Sequence, residues 1–167
     1  MNKTIITQII PTVQGEGPSV GTPVLLIRTG NCNLNCEWCD TKWSNNLKIK
    51  NAKKFNTKKV SLPVIIDETN IDDFINYLNG EFLDKFTINT ILLTGGEPLM
   101  NKEFIASLIY NKVSSLKNIA KIEIETNGTL LNEPENLYQW PEIVRSCEGL
   151  PVIRMNTRCN GSKGAGQ

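Results

Sequence analysis

The chain has no histidine among its 167 residues, so imidazole is absent from any metal site it builds. Mixed Cys/His zinc sites are thereby excluded. No apolar run approaches the length of a membrane span. The N-terminal stretch Met1 to Ile6 lacks the long apolar segment of a secretory signal. A cytoplasmic protein with reduced thiols and no membrane contact is expected. The formal net charge is only +1, which excludes a global field for a polyanion. Acidic residues are missing altogether from Thr41 to Ile66. Cysteine is scarce, with five in the chain, yet Cys32, Cys36 and Cys39 stand within eight residues of one another.

That stretch, residues 30–41, is the most informative in the chain. Three thiolates packed so closely suit a metal or an iron–sulfur cluster. A disulfide framework fits poorly, because three is odd and the chain is not a short secreted one. Zinc usually takes four ligands, often as two separated pairs, and no second pair follows at that spacing. Three thiolates on a four-iron cluster leave one iron open to a substrate or cofactor. The spacing i, i+4, i+7 also fits one face of a buried helix, with cysteine acting as a small hydrophobe. Gly30, Asn31, Asn33 and Asn35 oppose that reading, since they favour turns.

Composition is that of one ordinary globular domain, 40% hydrophobic and 21% charged. Residues 4–10 are β-prone and predict a strand that Pro11 ends. A polar turn, Gln14 to Pro18, precedes a nearly continuous apolar run at 23–29, the pattern of a strand buried on both faces in a parallel sheet. Arg28 interrupts that run and suits either a two-pronged grip on a carboxylate or an internal ion pair with a glutamate. Residues 42–59 carry seven lysines: a solvated loop, a lid over an anion, or a patch for RNA. The last is weak, because only Trp43 and Phe55 interleave with the lysines. Residues 61–66 read as a short extended segment. Asn70 is a candidate N-cap for a helix with apolar positions 71, 74, 75 and 78.

A second buried strand at 88–93 runs into Thr94-Gly95-Gly96-Glu97-Pro98, either a ligand-holding turn or a tight strand-to-helix connection. In the first case Glu97 and exposed backbone groups hold an amine. A helix is expected over 101–116, on Phe104, Ile105, Leu108, Ile109 and Val113. An alternating strand at 119–125 leads into the polar turn Thr126 to Thr129. A helix over 134–146, limited by Pro141, and a last strand at 151–155 complete the pattern. Strands alternate with helices, so a parallel α/β sheet with right-handed crossovers is expected. The loops at 30–41, 94–98 and 126–129 each follow a strand and should meet at one rim, as at the mouth of a barrel.

Cys32-x3-Cys36-x-Trp38-Cys39 resembles the cluster signature of the radical S-adenosylmethionine superfamily, and Thr94 to Pro98 resembles its second motif. Within it, Gln14 to Gly17, Arg28 and Cys39-Asp40-Thr41 resemble the 7-carboxy-7-deazaguanine synthase family, over residues 5 to about 130. The resemblance implies an α/β fold, a partial (β/α) barrel of the radical S-adenosylmethionine type, over residues 1–155, with 156–167 a flexible tail. It implies ring contraction of 6-carboxy-5,6,7,8-tetrahydropterin with loss of ammonia, a radical abstraction that needs no imidazole. Cys32, Cys36 and Cys39 would hold a [4Fe–4S] cluster. Trp38, Gly96, Glu97, Thr126 and Asn127 would contact S-adenosylmethionine. Val13, Gln14, Gly15, Arg28 and Thr94 would contact the pterin, and Thr41 a Mg²⁺ ion. A homodimer and an electron donor such as a flavodoxin are also implied; no nucleic acid is expected.

Family members usually continue beyond the point where this chain ends. No match is found for their later strands, their Ser-Pro-Lys-like cofactor contact or their closing C-terminal segment, and residues 147–167, with Cys147 and Cys159, do not resemble the family. A truncated or frameshifted member, or a compact variant completed by a dimer partner, would carry these features. A glycyl-radical-enzyme activase of the same superfamily is the rival enzyme, and a degenerate metal-binding protein the non-catalytic rival. Four irons with sulfide separate the enzymes from a one-zinc structural site.

Overall fold

A computed structural model describes residues 2–45, 47–112, 115–130 and 152–157. Strands β1 (Thr4–Val13), β2 (Pro23–Thr29), β3 (Lys53–Lys54), β4 (Val64–Ile66), β5 (Thr90–Gly95), β6 (Lys121–Thr126) and β7 (Val152–Thr157) form one sheet. Its order is β3-β4-β1-β2-β5-β6-β7. From β2 to β7 the neighbours are parallel, as alternating strands and helices predict. β1 departs from the expected parallel sheet, running antiparallel to both β2 and β4. The connection from β1 to β2 is too short for a crossover and forms a hairpin instead. Gln14 N–H donates to Thr22 O at 2.8 Å and Gly21 N–H to Gln14 O at 2.8 Å, closing its turn.

Pro11 does not end β1. The strand runs on to Val13, with Pro11 opposite Leu25. On its other side β4 pairs only with Thr4 to Ile6. Among the described residues nothing pairs with that edge beyond Ile6, so a proline whose missing N–H faces it removes no ladder bond. The last strand extends two residues past its expected end, through Asn156 and Thr157.

Helix α1 (Ile71–Leu78) buries Ile71, Phe74, Ile75 and Leu78, the four positions its periodicity marked. Asn70 sits at its N-cap but does not cap it. Its side chain faces backward, accepting from Asp67 N–H at 2.9 Å and donating to Ile65 O at 3.0 Å. The single helix expected over 101–116 is a composite. A 3₁₀ turn at Pro98–Asn101 leads into α2 (Lys102–Ala106), which widens to π-type winding over Ser107–Lys112. Phe104, Ile105, Leu108 and Ile109 are buried nonetheless. Val113, the helix expected over 134–146, Cys147, Cys159 and the tail from 158 lie outside the described residues.

The helices cover one face of the sheet. Ile6, Leu25, Ile27, Ile91, Leu93, Ile122 and Ile124 meet Phe74 and Phe104 there in one apolar core. Arg28, Thr94, Glu123 and Glu125 alternate with these core positions, so they share the opposite face. Burial on both faces holds along β5, where Thr90 to Thr94 are all buried, and is incomplete in β2, where Val24 is buried on the second face but Leu26 and Arg28 are half-buried. The lysine-rich stretch follows the rim as two 3₁₀ turns and the edge strand β3, and all seven lysines are exposed. Among the described residues no helix is long and apolar enough to cross a membrane.

Phe74 is fully buried, with Phe55 edge-on at 5.4 Å and Phe104 at 6.1 Å. Phe74→Ala should lower unfolding free energy by about 3–5 kcal/mol, read as a fall in denaturant midpoint. Truncating half-exposed Phe86 should change it by about 0.5 kcal/mol or less.

Candidate active site

β2, β5 and β6 point the same way, so Thr29, Gly95 and Thr126 end at one rim. The three loops that follow enclose a cavity of about 230 Å³. Cys32, Cys36 and Cys39 line it, with Trp38, Asp40 and Thr41 from the same loop. Thr94, Gly95 and Gly96 line it from the second loop, and Glu125, Thr126 and Asn127 from the end of β6. A larger cleft of about 520 Å³ opens at the other rim, beside Pro23, Phe86 and Asn118. It contains no thiol, so the chemistry-bearing residues belong to the first.

The loops are joined backbone to backbone. Gly96 N–H donates to Thr29 O at 3.2 Å and Glu97 N–H to Asn31 O at 2.8 Å. Both glycines are required by that approach. A Cβ on Gly96 would lie 1.8 Å from Asn31 O, and one on Gly95, at φ 148°, 2.2 Å from Thr29 O.

Glu97 does not face the cavity as an amine-holding group would. It is 0% exposed. Its Oε1 accepts from Leu99 N–H at 2.8 Å and from the Thr126 hydroxyl at 2.7 Å, and its Oε2 accepts from Asn127 N–H at 2.7 Å. Burial pushes its carboxyl up, and these hydrogen bonds from Asn127, Leu99 and Thr126 pull it back. Glu97 thus ties the second loop to the third. Asn127 continues the tie, its Nδ2 donating to Asn33 Oδ1 at 2.9 Å and reaching Cys32 Sγ at 3.8 Å.

The three cysteines are free, partly exposed and in turns, which removes the buried-helix reading. Burial pushes the Cys32 thiol up, and Glu97 adds to that; N–H groups of Leu34 and Asn127 lower it. N–H groups directed at sulfur are the contacts that tune a bound cluster. Among the described residues no three candidate ligands converge on a single-ion site. Thiolates that each take a different iron of a cube need no common point. The donor set, all sulfur, exposed to a cavity and offered N–H bonds, fits a [4Fe–4S] cluster. Trp38, 66% exposed, lines the same cavity. The Thr41 hydroxyl lies 3.5 Å from Cys39 Sγ.

The expected substrate residues divide. Thr94 lines the cavity, its hydroxyl donating to Glu125 Oε2 at 2.8 Å. Arg28 pairs in register with Thr94 on the same face; it donates to Gln8 Oε1 at 3.0 Å and lies 5.9 Å over Trp43. Val13, Gln14 and Gly15 are not brought to the cavity, because β1 runs antiparallel and ends level with Pro23, at the other rim. Gln14 is buried, and its Nε2 donates to Glu123 Oε2 at 3.1 Å on the polar face. Its side chain is committed to that contact.

Sequence reasoning missed Glu123 and Glu125. The signal was present: in Lys121-Ile-Glu-Ile-Glu the acids alternate with core isoleucines, so both lie on the open face. Glu123 receives Gln14, the Ser19 hydroxyl and the Lys121 ammonium, the last at 2.7 Å. Burial raises its carboxyl, but the bonds from Lys121, Ser19 and Gln14 outweigh it and hold the group below the usual range. A depressed carboxylate stabilises the fold above its unfolded value of about 4.3 and loses that contribution as pH falls through the folded value. Glu123→Gln should therefore cost about 1–3 kcal/mol at pH 7, and the deficit should shrink as pH falls below about 4. A deficit of constant size in chemical denaturation across that range would contradict this.

The Radical SAM superfamily model matches residues 26–157. The chain is 33% identical over 148 residues to a 7-carboxy-7-deazaguanine synthase from Aquifex aeolicus, covering 87% of this chain and 55% of that protein. It is 31% identical over 165 residues to one from Buchnera aphidicola, covering 90% and 68%. The crystal structure of QueE from Escherichia coli superposes with a TM-score of 0.53 at 26% identity, covering 76% of this chain and 53% of that one. The chain spans about half the length of the Aquifex relative and of one from Thermoplasma acidophilum (47%). The open sheet with helices on one face is accordingly the partial barrel of this fold. By these matches and by the three loops at its rim, the chain belongs to the radical SAM superfamily, within the 7-carboxy-7-deazaguanine synthase family.

Proposed function

We propose that the chain catalyses the ring contraction of 6-carboxy-5,6,7,8-tetrahydropterin to 7-carboxy-7-deazaguanine with loss of ammonia, in queuosine or other 7-deazapurine biosynthesis. The observation that carries this reading is the meeting of three thiols, a double-glycine turn and a buried-carboxylate brace around one cavity that opens onto a polar sheet face.

Cys32, Cys36 and Cys39 hold the cluster. When bound, the cluster and S-adenosylmethionine would supply the radical chemistry that removes hydrogen from the pterin. Gly96, with the Gly95-to-Pro98 turn that is seated directly on the first loop, supports the cofactor's amine from the cavity wall. Trp38, Thr126 and Asn127, which line the same cavity, would contact the cofactor. Glu97 acts at one remove, keeping those residues in place.

The pterin lies along the polar face, from Thr94 and Glu125 toward Gln14. Arg28 grips its carboxylate, while Val13, Gln14 and Gly15 meet its far end. Thr41, next to Asp40, offers oxygen to a Mg²⁺ ion, a hard cation that prefers such ligands. The working form is a cytoplasmic homodimer, reduced by a one-electron donor such as a flavodoxin.

The test is an anaerobic assay of reconstituted protein with S-adenosylmethionine, dithionite, Mg²⁺ and 6-carboxytetrahydropterin, analysed by mass spectrometry. Formation of both 5′-deoxyadenosine and 7-carboxy-7-deazaguanine is expected. Protein with a full cluster that makes 5′-deoxyadenosine alone would contradict the substrate assignment, and protein that makes neither would contradict the enzyme assignment.

A further inference from the structure

The lysine-rich stretch has no part in the chemistry above, and its charge is unusual for this chain. Its seven lysines stand in a segment without an acidic residue. The whole chain carries +1, so setting aside these seven leaves the remainder at −6. Seven exposed lysines along an otherwise acidic molecule form a local positive field. One ordinary explanation covers only part of it: lysines on the edge strand β3 discourage strand pairing with other molecules. It does not cover Lys42, Lys48, Lys50, Lys58 or Lys59, which lie outside that strand.

Strand register fixes where the strip sits. Ile6 pairs with Thr29 on one side and with Val64 on the other, and Val64 pairs with Lys53. Lys53 is therefore level with Thr29, the last residue before the cysteine loop. Three strand spacings separate β3 from β2, roughly 14 Å across the sheet. Lys42 follows the loop directly, and its ammonium donates to Glu37 O within it. Two large apolar side chains lie among the lysines, Trp43 at 57% and Ile49 at 49% exposure. Apolar anchors within a charged rim are the anatomy of a protein–protein contact. A typical interface covers about 800 Å² on each partner, wide enough to span the strip and the cysteine loop together.

We propose that residues 42–59 dock an acidic protein that carries one low-potential electron, seating its redox centre against the cysteine loop. The inference rests on the function proposed above, which needs an outside electron. In the step served, the donor's reduced centre loses one electron and an oxidised [4Fe–4S]²⁺ cluster gains it to become [4Fe–4S]⁺; no bond or proton moves. Nucleic acid is the weaker occupant, because Trp43 is the one exposed aromatic side chain that interleaves with the lysines.

The test uses reconstituted full chain and an acidic flavodoxin as the probe, with affinity measured by titration at several salt concentrations. The charge reversals Lys53→Glu and Lys54→Glu together should weaken binding at least tenfold and flatten its salt dependence. Lys85→Glu with Lys117→Glu, at the opposite rim, changes net charge equally and should weaken binding less than threefold. Cofactor cleavage driven by dithionite should be the same in all three proteins. No flavodoxin binding by the wild-type chain, equal losses in the two double variants, or tighter binding of a short RNA duplex that the first variant abolishes would each overturn the proposal. Loss of flavodoxin binding in the first variant alone, with no dithionite-driven cleavage in any protein, would uphold the docking surface and sink the proposed function.

Discussion

Glu97 brings a carboxylate into the interior of the rim and meets three donors there, from Leu99, Thr126 and Asn127. Its own N–H holds the carbonyl of Asn31, at the entrance to the cysteine loop. One residue thus touches all three loops around the cavity. The arrangement is held by opposition. Burial disfavours the charge, while removing the carboxylate would strand buried donors at about 1–3 kcal/mol each. Backbone contact supplies the rest. With no Cβ on Gly95 or Gly96, the second loop rests directly on the first, and any larger residue would push the cysteine loop outward.

Below the rim the same strands divide the labour by alternation. Isoleucine and leucine face the helices and make the core. Arg28, Thr94, Glu123 and Glu125 face the other way and make a polar floor. The β1–β2 turn is fastened to that floor through Gln14 and Ser19, both bonded to Glu123. A ligand that reaches from the cysteines toward this turn meets a surface whose charges already have partners, which limits rearrangement on binding.

Much of this was legible in the sequence, because it rests on local pattern. The Cys32 to Cys39 spacing, the glycine pair and the 71-74-75-78 stripe are each read within a few residues. Convergence of the loops followed from strands that alternate with helices. What escaped depends on partners far away in sequence. Pro11 is tolerated because β4 is too short to flank it. β1 is antiparallel because its turn cannot hold a crossover. Asn70 holds Ile65 and Asp67 in place of the helix. Glu97 resembles a ligand-binding acid until Thr126 and Asn127, some thirty residues later, are found against it. Gln14 is likewise claimed by Glu123, 109 residues away.

By tying the second and third loops together and holding Asn31, Glu97 should keep the cysteine loop competent to hold a cluster. Iron and sulfide content of Glu97→Gln, after anaerobic reconstitution beside the wild-type chain, tests it most directly. The amide preserves shape but turns a donor toward one of the N–H groups that the carboxylate accepts. Less than half the wild-type iron is expected in a variant whose far-UV spectrum is unchanged. Full occupancy, with the same electron paramagnetic resonance signal as the wild type, would contradict it.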